Sequence, residues 1–214
     1  MGAKTWMLAI VDGNVNEILK SRPTVDRAAS EALARQLFAS EMLEPLPDTD
    51  LSFTCPPDGE ICIGCFPGVT IVAAKEFAID YPSRLLPRFL EFAGGSTVYL
   101  HAMHSVVDWF AYAVWQNGTL QRSLSLSPDS GIIEDIGTRR SFEEPYWSGA
   151  HPATDPDDED DGYPFPFHPL ELGEAALLDL FGYQLEGYID PNNLQPEEIA
   201  LMRFKRAKAR WKLW

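Results

Sequence analysis

Apolar residues fall in short blocks along this chain, and the spacing inside each block reads as an element. Residues 5–11 (TWMLAIV) are almost unbroken apolar, as expected for a strand covered on both faces. Asp12-Gly13-Asn14 supplies turn chemistry and residues 15–20 return as a more polar strand, so the pattern predicts a β-hairpin at the start. Val25, Ala29, Leu33 and Leu37 recur every four residues and draw the buried stripe of a helix capped by Thr24. Residues 42–58, rich in Pro, Asp and Thr, read as an irregular connection. Short strands are predicted at 60–66 and 69–73, either side of Pro67-Gly68. A short helix is predicted at 83–92, with Pro87 near its first turn.

The strongest β pattern is central. Residues 97–103 and 107–115 are apolar and aromatic, and Asn117-Gly118 is the best hairpin turn in the chain. Residues 119–126 then alternate, with Leu120, Arg122, Leu124 and Leu126 on one face, which predicts three consecutive antiparallel strands. A further strand is expected at 132–136. An acidic loop at 148–162 carries Asp155, Asp157, Asp158, Glu159, Asp160 and Asp161. A helix at about 172–181 should close on Gly182. Ala200, Phe204, Ala207, Trp211 and Trp214 alternate spacings of four and three, so residues 196–214 read as a basic amphipathic C-terminal helix. The expected fold is α+β: one domain over 1–214, with a mostly antiparallel sheet of about six to eight strands and helices on one face.

Composition adds compartment and partners to this picture. A hydrophobic content of 45% with 23% charged residues is that of an ordinary globular chain. Thirty-two acidic against 17 basic residues give a net charge of −15, which repels phosphate backbones, so no nucleic acid is expected as a partner. Residues 203–214 hold six of the basic residues and no acid. Such a segment can dock on its own acidic body, bind a protein or peptide partner, or join copies into a homo-oligomer, and only the first needs no further component. No apolar run approaches membrane-spanning length and no leader pattern opens the chain, so a cytoplasmic protein without a membrane partner is expected.

Candidate chemistry is sparse. Cys62-Ile63-Gly64-Cys65 has the C-x-x-C spacing, with Cys55, His101 and His104 as further potential ligands. An offset of three along a strand puts the two thiols on opposite faces, so buried structural thiols are the better reading and no metal is expected. The same geometry separates His101 from His104. The ordinary reading of this stretch is a buried His bonded to backbone and an Asp satisfying a turn. The catalytic one pairs His104 with Asp108 at a cleft mouth, His carrying the proton and Asp orienting it. Trp109, Arg122, Tyr146 and Trp147 are the candidate binding residues beside that pair. The alternating serines at 123–127 belong by habit to a solvent face, and no phosphate loop or other cofactor motif is present.

The runs TVYLHAMHSVVDWFAYAVW (97–115) and SLSLSPDSGIIE (123–134) resemble an uncharacterised family of bacterial proteins, found chiefly in actinobacteria. MGAKTWML (1–8), GCFPG (64–68), FEEPYW (142–147) and PFHPL (166–170) carry the same resemblance, which extends to about residue 185. It implies kinship and supplies no activity. The expectation is a non-enzymatic interaction protein whose acidic surface or aromatic groove receives a basic or peptide-like partner. Its alternative is a hydrolase or small-ligand binder using His104 and Asp108.

Overall fold

The structure is a computed structural model that describes residues 2–154 and 163–208. The chain runs as β1 (Lys4–Val11), α1 (Val15–Lys20), α2 (Arg27–Leu37), β2 (Glu41–Asp50), β3 (Glu60–Phe66), β4 (Val69–Ala74), α3 (Pro87–Ala93), β5 (Thr97–His104), β6 (Trp109–Gln116), β7 (Thr119–Ser127), β8 (Gly131–Gly137), α4 (Glu144–Trp147), α5 (Pro169–Phe181) and β9 (Ala200–Lys208). The described residues form one nine-stranded sheet in the order β2-β9-β3-β4-β1-β5-β6-β7-β8, and every neighbouring pair is antiparallel. The α+β class is the expected one.

The apolar run of β1 explains its place near the middle. Met7, Ala9 and Val11 face one core, and Trp6, Leu8 and Ile10 face the other. Each large side chain buried this way contributes about 1.5–3 kcal/mol relative to leaving it in water. The helices divide accordingly. Val15 and Leu19 of α1 and Leu172, Ala176 and Leu180 of α5 cover the first core. Leu33 and Leu37 of α2 and Phe89 of α3 cover the second. Helices on one face only is therefore corrected to helices on both, because the sheet has two apolar faces to bury.

Three other expectations change. Residues 15–20 are a helix and not a strand, since Asn14 Oδ1 accepts the amides of Asn16 (3.1 Å) and Glu17 (3.3 Å) as an N-cap. The supposed connection after residue 41 is β2, whose prolines Pro45 and Pro47 are tolerated because it is an edge strand. Most important, Ala200–Lys208 is not helical: it is β9, inserted between β2 and β3. Leu201 enters one core while Met202 and Phe204 enter the other. Arg203 Nε donates to Glu60 Oε2 (2.7 Å), and Arg206, stacked 4.7 Å over Phe38, pairs with Glu76. The basic segment thus meets acids of its own body, as a strand. The homo-oligomer expected through a C-terminal helix loses that helix over these residues. Residues 209–214 of that reading, and 155–162 of the acidic loop, lie outside the described residues.

The cap of α2 is Asp26 and not Thr24, its Oδ1 accepting the Ala29 amide (2.9 Å), while the turn and cap residues of the two later helices stand as expected. Pro87 sits in the first turn of α3, and Gly182 (φ 82) caps α5 with its N–H toward the carbonyls of Leu177 and Leu178. No helix among the described residues is long and apolar enough to cross a membrane.

Candidate functional site

His101 and His104 leave β5 on opposite faces, as the strand requires. His101 is fully buried: Thr5 Oγ1 lies 2.7 Å from its Nδ1 and the Gly173 carbonyl 3.0 Å from its Nε2. The carbonyl can only accept, so Nε2 carries the proton and Nδ1 accepts from the hydroxyl. Burial pulls its pKa down to about 4, and the neutral ring ties β1, β5 and α5 together.

His104 is half-buried on the other face, its ring stacked on Trp6 at 5.5 Å between centroids and 15° between planes. The Lys75 ammonium lies 4.2 Å from the centre of the Trp6 ring. Burial, then the cations Lys4 and Lys75, lower the His104 pKa from its ordinary value, so the ring is neutral at pH 7. Its Nδ1 is enclosed and has no partner among the described residues.

The acid–base pair expected from the sequence is not assembled. Asp108, in the left-handed region (φ 46) of the β5–β6 turn, brings its Oδ2 to within 3.6 Å of His168 Nε2 and makes no hydrogen bond or ion pair with His104. His168 is the residue before α5, where its Nδ1 accepts the Leu170 amide (3.3 Å) and its ring stacks on Tyr163. Nothing in the sequence marks His168 as the partner of Asp108, because the two are joined only when α5 closes over the sheet.

What does surround His104 is a cleft of about 430 Å³ at one end of the sheet, on the α2–α3 face. Trp6 comes from β1, Lys75 and Asp80 from the segment after β4, Trp109 from the start of β6, and Asp129 and Ser130 from the β7–β8 turn. Trp109 commits its Nε1 to Ser125 Oγ (3.2 Å), which leaves the ring as a wall. Ser125 is one of three serines expected in solvent that are instead buried, Ser123, Ser125 and Ser127. A bulge between Val114 and Trp115 shifts the register, and Ser83 and Ser123 both bond the buried Glu134 carboxylate. Among the described residues none of Lys75, Asp80 and Asp129 has an opposite charge within 4.0 Å. Of the cleft residues, sequence patterning singles out His104 and Trp109, and it misses Trp6, Lys75, Asp80 and Asp129.

Arg122 lies on the opposite face and is 1% exposed. Its Nε and Nη2 make a bidentate contact with Glu143 (2.9 and 2.7 Å), and Nη1 reaches Asp135 and the Ile136 carbonyl (3.0 Å). Burial works against this charge, yet its bonds to Glu143 and Asp135 raise the pKa above the ordinary value. Tyr112 OH and the Arg140 amide complete Glu143. Arg122 therefore anchors the segment carrying α4 and offers nothing to a ligand. On α4, Tyr146 stacks on His151 (4.4 Å), and Trp147 packs edge-on against Phe167 (4.9 Å) beneath Arg139 (4.1 Å). The predicted set is thus split: His104 and Trp109 share the cleft, Arg122, Tyr146 and Trp147 share the α5 side, and Asp108 stands on the turn between.

A second cavity of about 570 Å³ lies beside Phe53, Cys55, Val106 and Leu185. Its Glu186 already accepts the Ala3 amide (2.7 Å). Cys62 and Cys65 point to opposite cores, and burial raises all three thiols, Cys62 to about 12. Among the described residues no three His, Cys, Asp or Glu are grouped to hold a metal ion.

Neither the curated proteins nor the solved structures contain a match to this chain. A family model does match, over residues 5–204, and so runs past residue 185 to include most of β9. The chain belongs to a family of unknown function, DUF6928.

Proposed function

We propose that this is a non-enzymatic binding protein that takes its ligand in the cleft between Trp6, His104 and Trp109. The observation that carries the reading is the unspent polarity of that cleft: a neutral imidazole, one cation and two carboxylates, all without charged partners, set among aromatic walls. Concave, aromatic-lined sites with a few convergent polar groups are where small ligands bind. The hydrolase alternative is disfavoured because Asp108, the orienting group it needs, faces His168. The thiols are held protonated by burial, which suits structural roles in the reducing cytoplasm.

The test is a compound screen read on the indole N–H signals of assigned Trp6 and Trp109. Hits should move both and lose affinity in His104→Ala. A screen whose hits leave both signals still would refute the reading. So would hydrolysis of a chromogenic ester that His104→Gln abolishes.

A further inference from the structure

Resting on that reading, the cleft also shows which chemistry its ligand carries. Lys75 directly follows β4 and leans onto Trp6 of β1. Asp129 is in the β7–β8 turn. From β1 to β7 the sheet order counts three strand spacings, or roughly 14 Å. The backbone therefore holds the cation and this carboxylate on opposite sides of one cleft, and no pair within 4.0 Å joins them among the described residues. A ligand with a single charge would meet one of these groups and leave the other facing it unanswered. A zwitterion meets both. The separation sets its length. The ammonium already lies over β1, so subtracting only the reach of the aspartate head and the contact distance at each end leaves on the order of 10 Å or a little less, which an extended chain of about three residues spans. Between the ends, Trp6, Val107, Trp109 and Ile133 line the cleft with apolar surface, suited to the middle side chain of such a chain.

We propose that the ligand is a short peptide of about three residues with both termini free, its carboxylate at Lys75, its ammonium at Asp129 and at Asp80, which comes two residues before the turn Pro82–Arg84 packed on β6 and β7, and its central side chain between Trp6 and Trp109. The neutral His104 ring adds a hydrogen-bonding group without a charge that would favour either terminus. The overall acidity of the chain strengthens the ammonium end and selects against purely anionic ligands.

Pools of Ala-X-Ala tripeptides, X covering every genetically encoded residue, provide the probe. Each pool is compared with its N-acetylated, its C-amidated and its doubly capped form, reading Kd by calorimetry and the Trp6 and Trp109 indole signals by NMR. The free peptides should bind at least tenfold more tightly than either singly capped form. Lys75→Met should bring free peptides down to the affinity of the amides while leaving the amides unchanged. The double variant Asp80→Asn with Asp129→Asn should do the same for the acetylated forms. Equal affinity for free and doubly capped peptides at these tryptophans would overturn the zwitterion and keep the cleft as a binding site. Peptides that leave both signals still, where screened compounds move them, would likewise overturn the zwitterion alone. Silence from peptides and compounds alike would remove both proposals.

Discussion

Replacing Arg122 with Met tests whether that residue is an anchor or a ligand group. The substitution keeps the apolar stem volume and removes the guanidinium, leaving Glu143 fully buried and deprived of its two bonds to Nε and Nη2. Breaking a buried ion pair from one side costs about 3–5 kcal/mol, because the remaining charge stays out of water. That is a large share of the roughly 5–15 kcal/mol available to a domain. With a urea slope of about 2–3 kcal/mol per molar, a loss of about 4 kcal/mol lowers the unfolding midpoint by roughly 1.3–2 M at constant slope. Adding Glu143→Gln neutralises the stranded charge while keeping an acceptor for Tyr112 and the Arg140 amide, and should restore about 1–2 kcal/mol. Ligand affinity at the Trp6–Trp109 cleft should not change, since Arg122 faces the other core. A single variant within about 1 kcal/mol of the parent would refute the anchoring argument. A double variant no better than the single one would refute it as well.

Opposed titrations should shape the stability curve. Burial raises the Glu174 carboxyl from 4.5 to about 7, so its stabilising protonated form is fully present below 4.5 and lost as pH rises through 7; Glu174→Gln should gain about 3 kcal/mol at pH 8 and nothing at pH 4. His101 runs the other way: with its pKa depressed from 6.5 to about 4, stability is full above 6.5 and falls as pH drops toward 4. Between pH 4.5 and 6.5 the two slopes cancel in the parent, so thermal melts of Glu174→Gln should show an acid loss there that the parent hides. Deleting residues 203–214 removes most of β9, the strand that pairs β2 to the sheet, and should collapse the soluble folded yield; an unchanged melting temperature would contradict the strand's place. Asn14→Ala should cost about 1 kcal/mol by uncapping α1, measured by chemical denaturation.

How far these elements could be read from the sequence depended on range. Strands β3 to β8 announce themselves through short apolar and aromatic runs, alternation at 119–126 and local turns such as Pro67-Gly68 and Asn117-Gly118, with β1 as a continuous apolar run. Asn14 misled because the residue that suits a hairpin turn also caps a helix, and six residues are too few for periodicity to arbitrate. β2 was hidden by Pro45 and Pro47, which an edge strand accepts and a central one refuses. β9 carried a helical spacing that tertiary pairing with β2 and β3 overrode. The site suffered most, because its parts are distant. His104 and Trp109 stand out within one aromatic stretch, whereas Trp6, Lys75 and Asp129 come from three other places in the chain. Only the sheet order brings them together.

The most direct measurement is a crystal structure grown with the tightest compound from the screen. Electron density for that compound bounded by Trp6, His104 and Trp109 is the predicted result. The same compound lodged in the larger cavity beside Phe53 and Leu185, with the His104 cleft empty, would contradict the account.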